Sequence, residues 1–347
     1  MDRAALVSTL ELVGCALADN NLVQIFCCFC FDTKTVSSYN DTIGIIAPCK
    51  TTEAFAVHGS TLLGLLKNSH AEEVEFSIES KQELSVKTGK SRFKLPYFPK
   101  EDFVFTRPGF SDDTWIEINS HLLTGMEACL MTSSRDLAQP KLLGVNLQPY
   151  GKQMALYSCD GDALTRYVIP KTKVMKSLTC LMPNVFCESL VKIFKETKAE
   201  SANLQTNKEW AYALLDTGYQ IYGRLIETTD PVDYEELITK TVKGEPSFVP
   251  VPKGLDHALS RARVVADPES AKTVMEVDNG LRLTTDAQMG LIKDVLPYPK
   301  GQEQVTANVS AAMVQRAIGL CDEMAILERC TVYRKGEELY MVVSNMG

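Results

Sequence analysis

The chain has 347 residues, of which 45 % are hydrophobic and 23 % are charged, so its composition is that of an ordinary soluble globular protein. Domains of roughly 100–200 residues would give it two or three of them, and no apolar run approaches the ~18 residues that cross a membrane. The net charge of −8 excludes a uniformly basic nucleic-acid binder, although it allows positive charge that is confined to one surface.

One pattern occurs three times along the chain: a strand-like run, a polar turn with an aspartate, an apolar strand and a short amphipathic helix. The turns are Tyr39-Asn40-Asp41, Cys159-Asp160-Gly161 and Thr285-Asp286-Ala287. Because they are roughly 120 residues apart, each repeat is a whole domain rather than a solenoid unit. We therefore predict three similar α+β domains over residues 1–112, 113–228 and 229–347, each with two helices against an antiparallel sheet.

The first repeat opens with leucines at helical spacing, which predict a helix over residues 4–18. The aromatic-rich run Leu22–Phe31 predicts a strand that is buried on both faces. The other predicted elements are strands near 34–39 and 43–48, a helix that begins at Gly59, and a hairpin of strands near 73–79 and 83–95 with a tight turn at Gly89.

The second repeat is predicted to contain two helices, over 119–133 and from Asn184 to Lys198. Its predicted strands are Trp115–Ile118, Leu142–Leu147 and Met154–Cys159, followed by a hairpin of strands near 210–215 and 220–226. Residues 227–250 are rich in proline and predict a linker. The third repeat has helical stripes over Leu255–Ala262 and Val309–Ala317, then a hairpin that turns at Lys335-Gly336 into strand Leu339–Val343.

Four stretches carry a resemblance to a known family: Lys90–Pro96 with Asp102-Phe103, Leu142–Val145, Cys159–Gly161 and Asn308–Ser310. With the threefold repeat, they make the chain resemble the β sliding clamp of bacterial replication, the β subunit of DNA polymerase III, in a phage-encoded form. In this family two three-domain subunits pair head to tail into a ring around duplex DNA, and helices line the hole.

The resemblance implies a cytoplasmic DNA-replication processivity factor that catalyses nothing and needs no cofactor or metal. Its implied partners are double-stranded DNA, DNA polymerase, an ATP-driven clamp loader and other proteins with short clamp-binding motifs. A second copy of the chain is implied as the partner in a homodimeric ring, and no membrane is involved.

The resemblance further implies that basic side chains on the helices face the DNA. Sliding requires attraction to phosphates without readout of bases, because a sequence-specific contact would stop the ring. The matching residues are Arg3, Lys67, Lys192, Lys195, Lys198, Arg261, Arg263 and Arg316. The first repeat has Asn20-Asn21 where the family often has an arginine, so its contact with DNA is expected to be weaker. The alternative is that these residues only solvate exposed helix faces.

An apolar groove between the second and third domains is also implied, which receives short motifs of polymerase, clamp loader and repair proteins. The matching residues are Leu142, Cys159, Gly161, Leu164, Pro231, Leu237, Asn308, Ala311, Val342, Val343, Ser344 and Met346. Ala311 and the pair Asp162-Ala163 depart from the family, so the preferred peptide is expected to differ from that of a host clamp. The alternative is that the C-terminal residues only complete an edge strand.

Ring closure is implied at two places. Val264 and Val265 match the apolar pair of the dimer interface, and Phe103 and Phe105 lie near its partner patch in the first domain. A stable ring needs on the order of 1,000 Å² buried at each junction. The small valines predict a weaker junction than in bacterial clamps. The alternative is that these are isolated exposed apolar residues, which are common on protein surfaces.

Two other patterns do not complete a site. Thr88-Gly89-Lys90-Ser91 ends like a phosphate-binding loop, but position 84 is leucine where that motif requires glycine. Cys27, Cys28 and Cys30 have no second closely spaced pair of cysteines or histidines, so buried thiols in a reducing cytoplasm are expected rather than a metal site. The repeated aspartates are expected to hold turns.

The runner-up function belongs to another class: a clamp-shaped interaction hub, monomeric or not encircling DNA, that recruits transcription or repair factors. The acidic balance and the few basic residues on the helices of the first repeat keep this alternative open. A hydrolase with an unrecognised site is a third possibility, although the four histidines form no HExxH pattern.

Overall fold

The computed structural model describes residues 1–19, 22–80, 82–110, 115–173, 179–228, 231–265 and 272–346. The chain divides into two compact units: Met1–Ser120 with Val185–Leu225, and His121–Asn184 with Ile226–Gly347. Each unit therefore combines one terminal repeat with part of the middle repeat, and the three domain boundaries remain predictions. Among the described helices, none has both the length and the apolar character needed to cross a membrane.

The first repeat folds as a helix, four strands, a second helix and further strands. Its elements are α1 (Arg3–Val13), β1 (Cys28–Asp32), β2 (Thr35–Tyr39), β3 (Ile43–Pro48), β4 (Phe55–His58), α2 (Gly59–Lys67), β5 (Val74–Ser80), β6 (Glu83–Thr88), β7 (Ser91–Leu95) and β8 (Tyr97–Phe98). Helix α1 begins where the Asp2 side chain accepts a hydrogen bond from the Ala5 N–H (2.6 Å). The predicted turn at Gly89 is confirmed by its positive φ of 59°.

The second and third repeats have the same order of elements, each after one short strand. The second contains β9 (Trp115–Ile118), α3 (Ser120–Leu130), β10 (Val145–Tyr150), β11 (Gln153–Cys159), β12 (Ala163–Ile169), β13 (Cys180–Met182), α4 (Asn184–Glu196), β14 (Ala202–Thr206), β15 (Trp210–Leu215) and β16 (Gln220–Arg224). After α5 (Tyr234–Thr241), the third contains β17 (Val249–Pro250), α6 (Leu255–Val265), β18 (Lys272–Val277), β19 (Leu281–Ala287), β20 (Gly290–Leu296), β21 (Val305–Ser310), α7 (Ala311–Ile318), β22 (Glu323–Ile326), β23 (Cys330–Lys335) and β24 (Leu339–Ser344). This threefold order confirms the predicted α+β fold of three similar domains.

Strands of neighbouring repeats join into shared antiparallel sheets. In the first unit, the nine-stranded sheet has the order β8-β4-β1-β2-β3-β16-β15-β14-β9, and β5-β6-β7 form a separate sheet. In the second unit, the eight-stranded order is β13-β10-β11-β12-β24-β23-β22-β17, and the four-stranded order is β20-β19-β18-β21. Because β24 pairs with both β12 and β23, the alternative that the C-terminal residues complete an edge strand is wrong.

The run Leu22–Phe31 does not form the single buried strand that the sequence predicts. A 3₁₀ helix covers Gln24–Cys27, and only Cys28–Asp32 form the strand β1. Leu22 is fully exposed, whereas Phe29 and Phe31 are fully buried. The apolar run is therefore exposed at its start and buried at its end, and its composition does not show this difference. The helices predicted over 4–18, 119–133 and 184–198 also end earlier, at Val13, Leu130 and Glu196.

The prediction of the third aspartate turn is also wrong. Asp286 lies inside β19 opposite Leu291, and the chain turns two residues later at Gln288-Met289. The first two turns lie where the sequence predicts them, at Asn40 and Asp160. The order of helices and strands is therefore the same in all three repeats, whereas the aspartate turn is not.

Candidate nucleic-acid interface and partner groove

Four of the predicted groove residues share one hydrophobic cluster of the second unit: Leu142, Cys159, Leu164 and Val342. Cys159 is the cross-strand partner of Leu164, and Leu164 is the partner of Val342, so the three side chains lie in a row on one face of the sheet. Burial raises the pKa of the Cys159 thiol, which therefore stays neutral. Together these residues form an apolar layer in which Cys159, Leu164 and Val342 are at most 5 % exposed. We call this layer the floor.

Helix α5 supplies the side of this floor, and sequence reasoning missed it because the composition of residues 227–250 predicts only a linker. The Asp233 side chain accepts a hydrogen bond from the Glu236 N–H (2.9 Å) and so begins the helix. Tyr234, Ile238 and Val242 are buried in the same cluster as the floor. Their spacing of four residues behind an aspartate cap is the signal that would have revealed the helix.

Three other predicted groove residues are exposed: Gly161, Pro231 and Leu237. Gly161 has a positive φ of 101°, and its N–H donates to the Cys159 sulfur at 3.3 Å. Two other predicted residues lie apart from this row. Ala311 is at the start of α7, and Val343 points to the face of β24 opposite to that of Val342.

The chain ends against three different parts of the second unit. The N–H of Ser344 donates to the Asp162 carbonyl (2.7 Å), that of Asn345 to the Arg329 carbonyl (2.9 Å), and that of Met346 to the Asn308 carbonyl (2.7 Å). These bonds hold the predicted groove residue Ser344 beside the turn that carries Gly161, and they hold Met346 beside the predicted groove residue Asn308 of β21. Both side chains are half-buried.

Two carboxylates lie beside the floor, at Asp160 and Asp162. Asp162 is exposed, and within the described part of the chain neither residue forms an ion pair. Burial raises the pKa of Asp160, although its carboxylate accepts hydrogen bonds from the N–H groups of Asp162 and Ala163. The edge of the groove at this turn therefore has negative character.

The predicted DNA-facing residues of the first unit divide into two kinds. Arg3 is half-buried, and its guanidinium donates to the carbonyls of Ala71 (2.7 Å) and Leu66 (3.1 Å), so it holds the end of α2. Lys67 is exposed but forms an ion pair with Glu11 (2.7 Å). Two donors of Arg3 are thus committed to backbone carbonyls, and its contact with DNA stays a prediction.

Helix α4 carries the clearest cationic stretch of the first unit. Lys192 and Lys195 lie on its exposed side, and Lys192 is 3.5 Å from the Cys15 sulfur. Lys198 follows the helix with a positive φ of 53°, which ends the helical path there. Glu188 and Glu196 lie four residues before and after Lys192, so residues 188–198 carry a net charge of only +1.

In the second unit, two of the three predicted arginines have partners. Arg261 forms an ion pair with Asp294 of β20 (2.7 Å), and Arg263 donates to Gln315 of α7 (2.7 Å). Arg316 is exposed on α7. The exposed pairs are worth at most about 1 kcal/mol each, so phosphates can compete for the same cations.

The predicted junction residues of the first unit are used within that unit. Phe105 stacks on Tyr39 (ring centres 4.6 Å apart) and meets Tyr222 edge-on (5.4 Å). Phe103 is half-buried against the same aromatic cluster. Val104, between them, is 60 % exposed. The chain here alternates sides, so Val104 is the residue that this segment offers to solvent.

The predicted junction residues of the second unit lie beside an exposed apolar edge. Val264 is 80 % exposed, while Val265 is half-buried near Gly290. Strand β20 is the outer strand of its sheet and exposes Leu291 and Val295, and Met289 precedes it in the turn. Sequence reasoning missed these three residues, although the alternation of Leu291, Lys293 and Val295 predicts one outward face.

Comparisons with solved structures give one fold over the whole chain. No protein-family model matches the sequence, and no curated protein matches it. The DNA polymerase sliding clamp of Pseudomonas aeruginosa is similar with a TM-score of 0.85 at 15 % identity, covering 100 % of this chain and 98 % of that one.

Two further clamps agree with this result. The β subunit of DNA polymerase III from Thermotoga maritima has a TM-score of 0.85 at 16 % identity, and the polymerase β subunit of Streptococcus pyogenes has 0.85 at 14 %; each comparison covers 100 % of this chain and 98 % of the other. The chain therefore has the sliding-clamp fold, as the sequence resemblance predicted.

Proposed function

We propose that the chain is a non-enzymatic DNA sliding clamp, a replication processivity factor that encircles duplex DNA and tethers a polymerase. The observation that carries this proposal is the similarity of the whole chain, all three repeats included, to sliding clamps. Successive copies of one module suit a ring, whereas an enzyme needs reactive groups that converge in one cleft. Such a factor would work in the cytoplasm of a bacterium or of a phage-infected host.

Contact with DNA is proposed to come mainly from Lys192, Lys195 and Lys198 and from Arg316. These flexible cations attract phosphates without reading bases, which is the requirement for sliding. Lys67, Arg261 and Arg263 would join them when phosphates replace Glu11, Asp294 and Gln315. Arg3 is left out because its donors already bind carbonyls.

Closure of the ring is proposed to use a second copy of the chain at Val264 and the outward face of β20. An unpaired outer strand with exposed Leu291 and Val295 is a liability in a monomer, because it invites pairing with another strand. Covering this edge with another copy would remove that liability. Val104, which the first unit exposes, is a candidate for the opposing surface.

The floor around Cys159, Leu164 and Val342 is proposed to bind short segments of polymerase, clamp loader and other replication proteins. Apolar floors with a few polar groups at the edge suit linear peptides with two or three hydrophobic anchors. Asp160 and Asp162 favour a peptide that carries a positive charge near those anchors.

The proposal is tested by topology. The protein is loaded onto nicked circular DNA with a clamp loader, the complex is isolated by gel filtration, and the DNA is then cut once with a restriction enzyme. A clamp stays on the circle and leaves the linear molecule by sliding off its ends. Equal retention on both DNA forms, together with a concentration-independent monomer in light scattering, would support the interaction hub and refute the clamp.

A further inference from the structure

A row of alternating aromatic and cationic side chains crosses the eight-stranded sheet of the second unit. Tyr157, Arg166, Tyr340 and Arg334 are direct cross-strand partners on β11, β12, β24 and β23. The Arg166 guanidinium lies 4.9 Å from the centre of the Tyr340 ring and 4.7 Å from that of Tyr150. The cation is therefore held between two rings at the seam where the second repeat meets the third.

Arg166 is poorly solvated, since its side chain is only 14 % exposed. A cation in such a position needs a charged partner, because an unpaired buried charge is strongly unfavourable. Glu235 is that partner: its two carboxylate oxygens accept from Nη1 of Arg166 at 3.2 and 3.0 Å. The Tyr157 hydroxyl donates to the same carboxylate at 3.0 Å.

Glu235 belongs to the first turn of α5, which is only eight residues long. A helix of this length is not stable in water by itself, so its position depends on tertiary contacts. Next to Glu235, Tyr234 stacks on Tyr157 with ring centres 5.1 Å apart. Beyond the helix, the centre of the Phe248 ring lies 4.0 Å from the Arg334 guanidinium. Tyr157 therefore contacts the start of α5, and Arg334 contacts the chain that follows the helix.

The same helix forms the side of the candidate groove. Ile238 completes the floor cluster with Cys159, Leu164 and Val342, while Leu237 is exposed beside it. Glu235 and Arg166 lie outside that set of predicted groove residues. We therefore assign them a role in the placement of α5 and not in the anchoring contacts.

We propose that the Arg166–Glu235 ion pair is a positioning device that fixes α5 as the wall of the partner groove. This inference rests on the proposed function, because it assigns a role within the same groove. Arg166 and Glu235 are positioning residues, and the anchoring contacts are made by Leu237 and the floor.

The test uses the full chain and three variants. Glu235→Ala removes the carboxylate, Glu235→Gln keeps an oxygen that can accept from Arg166 and Tyr157, and Glu236→Ala is the matched control. Glu236 is the next residue of the same helix and forms only a surface ion pair, with Lys240 (2.6 Å). The probe is a fluorescein-labelled peptide with two leucines, one lysine and a C-terminal phenylalanine, and its binding is followed by fluorescence anisotropy.

We expect Glu235→Ala to weaken peptide binding by about tenfold and to speed hydrogen exchange of the α5 amides, whereas Glu236→Ala stays within about threefold of wild type. Glu235→Gln should fall between the two, because it keeps the acceptor oxygen but leaves the buried Arg166 without a charged partner. The apparent Tm of Glu235→Ala should fall for the same reason. Faster exchange confined to the α5 amides separates positioning from a general loss of stability.

If the wild-type protein binds the peptide and Glu235→Ala binds it with the same affinity, the positioning role is wrong, while the proposed groove stands. Equal losses in Glu235→Ala and Glu236→Ala would contradict that role as well. Failure of the wild-type protein to bind the peptide would instead refute the groove itself and the positioning role with it. The two failures are therefore distinguishable.

Discussion

Asn40 and Asp160 occupy the same place in two successive repeats and make the same hydrogen bonds. The Oδ1 atom of Asn40 accepts from the backbone N–H groups two and three residues ahead, at 3.2 and 3.0 Å. The Oδ1 atom of Asp160 does the same at 3.0 and 2.7 Å. Either an amide or a carboxylate can close this turn, because only one acceptor oxygen is needed. The two residues differ in charge.

The variant Asp160→Asn is expected to fold as stably as the wild-type protein at pH 7, or slightly more stably. It keeps the acceptor oxygen and removes a charge that burial makes unfavourable. Asp160→Ala is the control that loses the acceptor, and we expect it to lower the free energy of unfolding by about 1–2 kcal/mol, as when a helix cap is removed. The free energies of unfolding of both variants are measured by urea denaturation.

The pH dependence gives this prediction a second readout. Folding raises the pKa of Asp160, so its stabilising contribution is fully present below the unfolded pKa and is lost as pH rises through the folded pKa. The stability difference between Asp160→Asn and wild type should therefore shrink as the pH is lowered through that range. A difference that grows on acidification would contradict the raised pKa.

The sequence predicted elements well where one face repeats regularly. The spacing of the leucines correctly predicted helices α1 and α2, because apolar residues at this spacing lie on one side of a helix. The glycine at the tip of the β6–β7 hairpin gave the right turn, because a tight turn there requires a positive φ. Helix α5 was missed because the proline-rich composition of residues 227–250 outweighed the four-residue spacing of Tyr234, Ile238 and Val242. Its stability depends on burial of these side chains and on Glu235, which contacts strands far earlier in the chain.

The site was less predictable than the fold. The floor residues Cys159, Leu164 and Val342 came from a resemblance, and nothing local to them shows that β12 and β24 pair across two repeats. Arg3 was assigned to DNA because it is basic and sits on a helix. Only the structure shows that its donors bind the carbonyls of Leu66 and Ala71. The sequence shows that Arg3 is positively charged, but its hydrogen-bond partners lie more than 60 residues later in the chain.

Gly44 and Phe105 make a second testable pair. A β-carbon at position 44 would lie 2.7 Å from the Phe105 ring, so Gly44→Ala must displace that ring from Tyr39. We expect a loss of about 1–3 kcal/mol in the free energy of unfolding, as in other overpacked sites. Gly64→Ala is the matched control, because a β-carbon there meets no atom within 4 Å. It should be neutral or stabilising, because alanine is a better helix former than glycine.

A compensating change would identify the cause. Phe105→Leu should recover part of the stability that Gly44→Ala loses, since the smaller side chain leaves room for the added methyl group. If the two changes are additive in urea unfolding, Phe105 does not pack over Gly44. The oligomeric state of Phe105→Leu also reports whether this side chain contributes to the junction between two copies.

The proposed junction predicts that charge on the outward face of β20 prevents dimer formation. The double variant Val264→Asp/Val295→Asp is expected to sediment as a monomer at concentrations where the wild-type protein is a dimer, because both charges would lose hydration at the junction. Folding should be unaffected, since both side chains are largely exposed. Leu137→Asp is the control, because that leucine is 84 % exposed and lies outside α6 and the four-stranded sheet. A dimer that survives the double change would place the junction elsewhere.

The proposed cationic contacts predict the salt dependence of DNA binding. Lys192→Glu/Lys195→Glu, and separately Arg316→Glu, are expected to weaken binding to linear duplex DNA and to flatten its salt dependence. Each phosphate contact contributes about 0.9 to the slope of log K against log salt, so the double variant should reduce the slope by roughly one to two. Binding is measured by fluorescence anisotropy of a labelled duplex at a series of NaCl concentrations.

Two controls separate this effect from net charge and from folding. Lys240→Glu changes the charge of a single lysine on α5, where it pairs with Glu236, and it should leave duplex binding unchanged. Arg3→Leu should lower the free energy of unfolding by about 1–3 kcal/mol, because the carbonyls of Leu66 and Ala71 lose their donor. It should not alter the salt slope. A slope that falls for Arg3→Leu but not for the α4 lysines would reverse our assignment of the DNA-facing residues.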